Sequence, residues 1–336
     1  MPRIALLSFA HVHAHGYAQQ VRDHKDAEIA CIWDDDPARG KPAAEQYGVP
    51  YFSDLSKVLS DGSIDGVVVN APTSQHPQVI GAAVEAGKNV FTEKALTVTT
   101  ADSNRLVEAV RRKGIKFMIS LPSRTNPEVL FLKKVVDDGL IGKVTLMRAR
   151  IAHCAALDSW FHDGSAWFGD EKLAGGGALF DLGCHTVDVM RWILGEPASV
   201  IAKVNNYSGA YDIDDNSAAV VEFKNKALGI LDVSWVHRAG PNTMELYGTE
   251  GFVGKGYPGG GIVLQSKKAL ADGLEGTVHP SNLPKPPATP MNQWVASMVE
   301  DAPMTITVED GRNLTELLEG IYTSSREGRS VGFPIA

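Results

Sequence analysis

Three histidines stand at alternate positions, His11, His13 and His15, directly after the apolar run RIALLSFA. A His-x-His pair at the end of a first strand is a metal-ligand pattern. Metal-dependent hydrolases use it, with further histidines and an aspartate supplied by later strand ends of a barrel. A second chemistry fits the same loop. A dinucleotide fingerprint places GxGxxG between the first strand and the first helix, with an acidic residue about 20 positions on. Its glycine positions fall here on Ser8, Ala10 and His13, with His11 and Val12 between the last two. No glycine stands in the motif, but Ser8 and Ala10 keep the smallness that a pyrophosphate demands. The acid is present: CIWDDDPAR ends the second apolar run with Asp34, Asp35 and Asp36. Carboxylates there accept hydrogen bonds from ribose hydroxyls and repel a 2′-phosphate, which favours NAD over NADP; Arg39 is the neighbour that softens this. The same acids serve equally as a solvated turn capping a helix that starts near Pro37.

Two later stretches carry chemistry. In GVVVNAPTSQHP, residues Asn70, Ala71, Pro72 and Thr73 end an apolar run in a proline-containing turn suited to lie along a cofactor's ribose. NVFTEKA then places Glu93 and Lys94 at the end of the next run. On a surface such a pair is solvated charge; at a strand's carboxyl end Lys94 polarises a substrate hydroxyl and lowers its effective pKa. In GGGALFDLGCHTVDVMRWILGEP, Gly175–Gly177 read as a flexible approach to a helix carrying Asp181, His185 and Asp188 on one face. An aspartate four residues before a histidine is either a surface pair of about 0.2–0.5 kcal/mol or a general base oriented by its carboxylate.

These groups need elements to hold them. Through residue 119, strand-length apolar runs alternate with segments of helical spacing, such as Val79, Ala82, Ala83 and Ala86. Gly87 and Gly114 sit where helices stop. Such alternation predicts an α/β architecture with a doubly wound parallel sheet, whose ligands bind at the carboxyl ends of the strands. It stops after about six units, so a (β/α)₈ barrel is not expected, and with it goes support for the hydrolase reading; no metal is assigned. Strands then follow in succession, at 143–153, 198–207, 215–224, 227–236, 242–248 and 251–265, interrupted by a helix at 178–194. They predict a C-terminal α+β domain with an open, mainly antiparallel sheet. A Pro-rich loop, HPSNLPKPPATP, precedes helices at about 290–300 and 309–326. The boundary is expected at 121/122, giving domains 1–121 and 122–336.

Composition narrows the function classes. The 336 residues are 44% hydrophobic and 21% charged, with formal net charge −8. An acidic chain lacks the basic footprint for nucleic acid or anionic membranes. Cys31, Cys154 and Cys184 are too few and too scattered for a disulfide framework or a metal knuckle. No stretch approaches spanning length and the N-terminus has no signal-peptide pattern, so a soluble cytoplasmic protein is expected.

Taken together, the blocks APTSQHPQVIGAAVEAGKNVFTEKAL, RTNPEVLFLKKVVDDGLIGKVTLMRAR, GGGALFDLGCHTVDVMRWILGEP and TVEDGRNLTELLEGIYTSSREGRSV resemble, in order, the Gfo/Idh/MocA family of oxidoreductases. The resemblance implies a Rossmann domain for residues 1–121 and a substrate-binding and oligomerisation domain beyond it. It implies hydride transfer between NAD and a carbinol carbon of a sugar, polyol or related compound. By position Lys94 falls on the family's catalytic lysine, Asp181 on its substrate-binding carboxylate and His185 on its general acid/base. Arg124 falls where the family lines its pocket, and His76 and Glu93 fall in the cofactor block. His153, Trp160, His162 and Trp167, from AHCAALDSWFHDGSAWFG, are candidate pocket-lining groups, aromatics there being equally suited to a core. A homodimer or tetramer through the C-terminal sheet is implied. The same fold also supports redox-assisted glycoside cleavage, and the missing glycines leave room for a nucleotide sensor without turnover. The sequence departs from the family's EKP triplet with Ala95 after Lys94.

Overall fold

The computed structural model describes residues 1–268 and 276–335. They form two compact units: Met1–Leu121 with Phe161–Gly175 and Ala288–Thr315, and Pro122–Trp160 with Gly176–Pro287 and Glu316–Ala336. Two segments that follow residue 121 in the chain group with the first unit. Segment 161–175 joins the first unit because the Trp167 indole N–H donates to the carbonyl of Ala10 at 2.9 Å. Segment 288–315 joins it because Trp294 is fully buried, 5.9 Å from the ring of Phe91 and close against Gly66.

The first unit is a six-stranded sheet of β1 (Arg3–Leu7), β2 (Glu28–Trp33), β3 (Tyr51–Phe52), β4 (Gly66–Val69), β5 (Asn89–Thr92) and β6 (Phe117–Ile119). All pairings are parallel and the order is β3-β2-β1-β4-β5-β6. β4 is buried along its whole length, as a strand covered on both faces requires. The crossovers carry α1 (Ala14–Asp23), α2 (Pro37–Tyr47), α3 (Leu55–Ser60), α4 (His76–Glu85) and α5 (Thr100–Lys113). Local signals set their ends. Asp36 caps α2 by accepting from Ala38 N–H with Pro37 at the first position, and α5 stops at Gly114 in the left-handed conformation. The strand order reverses at β1, so the crevice beyond its carboxyl end is where such a sheet binds ligands. The two-residue β3 has no sequence signal because it is half-exposed and too short to show a period.

The second unit begins with α6 (Pro127–Asp137), capped by Asn126, and contains an eight-stranded mixed sheet. Its strands are β7 (Val144–Ala152), β8 (Pro197–Asn205), β9 (Asn216–Phe223), β10 (Leu228–Ser234), β11 (Met244–Gly248), β12 (Gly251–Lys255), β13 (Ile262–Ser266) and β14 (Val331–Gly332). The order is β13-β12-β11-β7-β10-β9-β8-β14; β7 and β10 pair in parallel and the other described pairs are antiparallel. The single strand expected at 251–265 is two, folded back through a glycine-rich turn. After α7 (Glu171–Ala174) of the first unit, the chain reaches α8 (Cys184–Leu194), which packs on β7 and β10. The helix expected from residue 178 starts instead as a wide π-type turn at Leu179–Gly183. Residues 279–289 adopt neither helix nor strand before the helix Pro290–Glu300. No helix among the described residues is long and apolar enough to cross a membrane.

Candidate active site

The β1–α1 loop holds a glycine-like backbone without glycine. Ser8 lies at φ +71°, the left-handed region that the first glycine of a dinucleotide loop supplies. Its hydroxyl accepts from Ala10 N–H at 3.2 Å, a local bond that helps a short polar side chain occupy this region. Phe9 N–H donates to Asp34 at 2.7 Å, tying the loop to the end of β2, and His11 N–H donates to the carbonyl of Asn70. The Trp167 indole seals the loop from above Ala10. Val12 is exposed at the loop's crest.

The three acids divide their work. Asp34 is fully buried and grips Arg39 through Nε at 3.0 Å and Nη2 at 2.6 Å. Burial pushes its carboxyl upward, against the pull of Arg39 and the N–H groups of Asp36 and Phe9. The same Nη2 donates to Asp35 at 2.7 Å. Asp35 and Asp36, not Asp34, line a pocket of about 620 Å³ together with Arg39, Pro72, Gln75 and Trp167. Asp34 is thus the anchor beneath the pocket, and Asp35 is the carboxylate offered to it.

At the ends of β4 and β5 the roles also separate. Asn70 is buried with both amide atoms lacking a hydrogen-bond partner, which suits a ligand carrying its own donors and acceptors. Ala71 and Thr73 are buried beside it. His76 is fully buried: Nδ1 lies 3.0 Å from the carbonyls of Ala95 and Leu96, and Nε2 3.0 Å from that of Ala71. It braces the backbone after Lys94 and does not face the pocket, and burial lowers its pKa. The Lys94–Ala95 peptide is cis. Lys94 is itself buried, its N–H donating to Glu93 Oε2 at 2.8 Å.

Glu93 gathers the loop histidines. Its Oε1 lies 2.7 Å from His13 Nδ1 and 3.7 Å from His11 Nδ1, and accepts from the Tyr17 hydroxyl at 2.5 Å. Ser120 Oγ is 2.8 Å from that hydroxyl. Burial opposes ionisation of Glu93, but His11, the His13 hydrogen bond and Lys94 outweigh it and hold the carboxyl well below the usual range. Burial and the Glu93 charge together push the Tyr17 hydroxyl far up. Donor atoms of His11, His13 and Glu93 all lie within 4.8 Å of one another. Their sheet is open, so the barrel-type hydrolase site has no scaffold here.

In the second unit, Gly176 and Gly177 are packed rather than flexible. A Cβ on Gly177 would sit 1.9 Å from the Asp214 carbonyl oxygen, and Gly177 N–H donates to the Asp214 carboxylate at 2.6 Å. Asp214 also accepts from Leu179 N–H and from the Tyr322 hydroxyl. This brace fixes the start of the wide turn carrying Asp181, one turn before His185. Wide turns of this kind concentrate at functional sites. His185 lines a pocket of about 370 Å³ with Ser123, Asn126, Arg150, Asn242 and Lys255. Asp188 is buried in a two-point ion pair with Arg124, at 3.0 and 2.7 Å. That pair ties the start of the unit to α8, with the Arg124 guanidinium 5.4 Å from the Trp192 ring.

The four pocket candidates fall into two groups. His153 stacks on Trp160 at 4.8 Å in the second unit. Trp167 and His162 lie in the first: Trp167 lines the larger pocket, and His162 is exposed and paired with Asp163. Sequence reading missed Tyr17, Ser120, Asp214 and Tyr322. Tyr17 lies on the apolar stripe of α1, where nothing distinguishes it from core, and the others act through contacts distant in sequence.

Residues 9–121 match a family model described as an oxidoreductase family with an NAD-binding Rossmann fold, and residues 129–253 match one described as the GFO/IDH/MocA C-terminal domain. Levoglucosan dehydrogenase of Pseudarthrobacter phenanthrenivorans is 28% identical over 246 residues, covering 65% of this chain and 62% of that protein. The NAD-dependent scyllo-inositol 2-dehydrogenase of Bacillus subtilis is 28% identical over 234 residues, covering 68% and 66%. The chain thus spans slightly under two thirds of the length of these two relatives. D-apiose dehydrogenase of Rhizobium rhizogenes is 24% identical over 327 residues, covering 92% and 91%. Among solved structures, a levoglucosan dehydrogenase complex with NADH matches all of this chain and all of its own at TM-score 0.83 and 24% identity. Aldose-aldose oxidoreductase from Caulobacter crescentus, complexed with glycerol, matches 99% of each chain at TM-score 0.83 and 22% identity. At these identities the structural likeness speaks for the fold.

Proposed function

Because this chain belongs to the Gfo/Idh/MocA oxidoreductase family, with an NAD-binding Rossmann domain at its N-terminus, we propose that it is an NAD-dependent dehydrogenase of a sugar or polyol secondary alcohol, or of the matching ketone. The observation that carries the reading is the β1–α1 turn, left-handed at Ser8, beside a pocket of about 620 Å³ lined by Asp35, Asp36 and Trp167. Asp35 accepts from a ribose hydroxyl. Arg39 is engaged by three carboxylates at 2.6 to 3.8 Å, so it has little charge left to offer a 2′-phosphate, and NAD is preferred to NADP. Asn70 supplies an unspent amide to the bound nucleotide.

NAD, when bound, supplies the hydride acceptor. The chain's own residues handle the proton and the alcohol. His185 takes the hydroxyl proton, Asp181 fixes the hydroxyl's direction, and the Lys94 ammonium donates to the alcohol oxygen and lowers its effective pKa. His153 and Trp160 offer a stacked flat face to a sugar ring. The levoglucosan, inositol and apiose dehydrogenases among the relatives support a carbohydrate-like substrate. Ile201, Val220 and Leu228, exposed on the C-terminal sheet, support a homo-oligomer through that face. The scattered cysteines support a reducing, cytoplasmic setting.

The test is a panel of sugars and polyols with NAD, followed by reduced-nicotinamide absorbance. Steady NADH accumulation with at least one member is expected. Binding of NAD with no turnover across the panel, or product formed without NADH, contradicts the reading.

A further inference from the structure

We propose that His11, His13 and Glu93 form a binding site for one divalent transition-metal ion. The inference stands on the donor chemistry of one unit and does not depend on the dehydrogenase reading. Two of the ligands come from the β1–α1 loop and the third from the end of β5, with β4 between them in the sheet. The loop arches across β4 because His11 N–H donates to the Asn70 carbonyl at 3.1 Å, which carries both imidazoles over to the carboxylate.

The geometry is close to what an ion needs. One donor atom from each residue falls within a 4.8 Å set. Tetrahedral zinc, with ligands at about 2.0–2.1 Å, holds its donors about 3.3 Å apart. The two imidazole–carboxylate separations here, 2.7 Å to His13 and 3.7 Å to His11, bracket that value, and the two rings lie 4.7 Å apart. Two imidazoles and one carboxylate suit zinc, iron, cobalt or nickel and leave positions open for water or a ligand. The supporting bonds are also in place. Glu93 Oε2 accepts from Lys94 N–H and Oε1 from the Tyr17 hydroxyl, which Ser120 braces in turn, so the carboxylate is held before any ion arrives. His11 Nδ1 is oriented by His13 N–H at 3.2 Å. The ion replaces the amide at the His11 Nδ1 lone pair and the hydrogen bond between His13 Nδ1 and Glu93 Oε1. The His13 side chain is 53% exposed while those of His11 and Glu93 are buried, which gives the site one open side for entry.

The experiment titrates chelator-treated, dialysed full-length protein with Co²⁺, reading the visible absorption of the bound ion, and counts metal per chain by plasma mass spectrometry. One Co²⁺ per chain is expected, displaced by Zn²⁺. His13→Ala, at a half-exposed position that tolerates truncation, and His11→Ala each weaken binding at least tenfold, while His162→Ala, at an exposed histidine elsewhere in the unit, leaves it unchanged. Circular dichroism confirms that His13→Ala is folded. Absence of Co²⁺ and Zn²⁺ binding by the unaltered protein overturns the proposal, as does binding that survives His13→Ala. NADH formation with a polyol is read separately, so failure of the ion count and failure of the dehydrogenase reading are distinguishable.

Discussion

The β1–α1 loop and the Gly175–His185 segment solve opposite problems. In the loop, the conformation of a glycine motif persists with its glycines replaced: Ser8 takes the left-handed position and a hydroxyl-to-amide bond helps hold it there. In the later segment the glycines are present: Gly175 ends α7 in the left-handed conformation, and Gly177 is there for space. Gly177 stands where any side chain would strike the Asp214 carbonyl, and its own φ is not in the left-handed region. A motif can therefore be lost in letters and kept in backbone, or kept in letters for a reason other than flexibility.

Substitutions break or sharpen this contrast. The largest effect is expected at the end of the second segment: His185→Asn lowers kcat by about 10²–10⁴-fold, the usual weight of a general base, while NAD binding in the first unit is retained. A kcat within tenfold of the parent would remove His185 from proton transfer. Next comes Gly177→Ala, whose Cβ meets backbone that cannot swing aside; it costs about 3 kcal/mol in urea unfolding, the upper range for overpacking. A loss below about 0.5 kcal/mol would mean that the Asp214 brace yields. Trp167→Phe keeps the ring and removes the indole bond to Ala10, costing about 1 kcal/mol and weakening NAD binding about fivefold in calorimetry. Ser8→Gly is the smallest. Release of the left-handed strain, about 1 kcal/mol, offsets the lost hydroxyl bond of about the same size, so stability stays within about 0.5 kcal/mol.

A pH series sharpens the role of His76. Its folded pKa lies below the ordinary 6.5 because burial disfavours the imidazolium. The unfolded chain then binds more protons in the window from 6.5 down to the folded value, so stability falls as pH drops through it. Urea unfolding at successive pH values reads this slope, and His76→Gln flattens it. An unchanged slope in the variant would place the proton uptake elsewhere.

Much of the architecture was legible. The period-2 and period-3.6 segments marked the strands and helices of both units, because they reflect burial on one or two faces. The blocks around Lys94 and His185 were legible by order and spacing. What escaped was tertiary. Nothing in the sequence distinguishes Asp34, drawn under the pocket by Phe9 N–H and Arg39, from Asp35, which faces it. The helical face carrying Asp181 and His185 presumed a regular helix from residue 178; the wide turn at Leu179–Gly183 interrupts it. Segment 161–175 follows the second unit's first strand in the chain, so only the long-range Trp167–Ala10 bond reveals that it belongs with the first unit.

The most direct test uses a polyol deuterated at its carbinol carbon, with mass spectrometry of the nicotinamide product. Delivery of the deuterium to the reduced nicotinamide ring, abolished in His185→Asn, is the predicted result. Oxidised product with no label in the nucleotide, or label transfer undiminished without the imidazole, would contradict it.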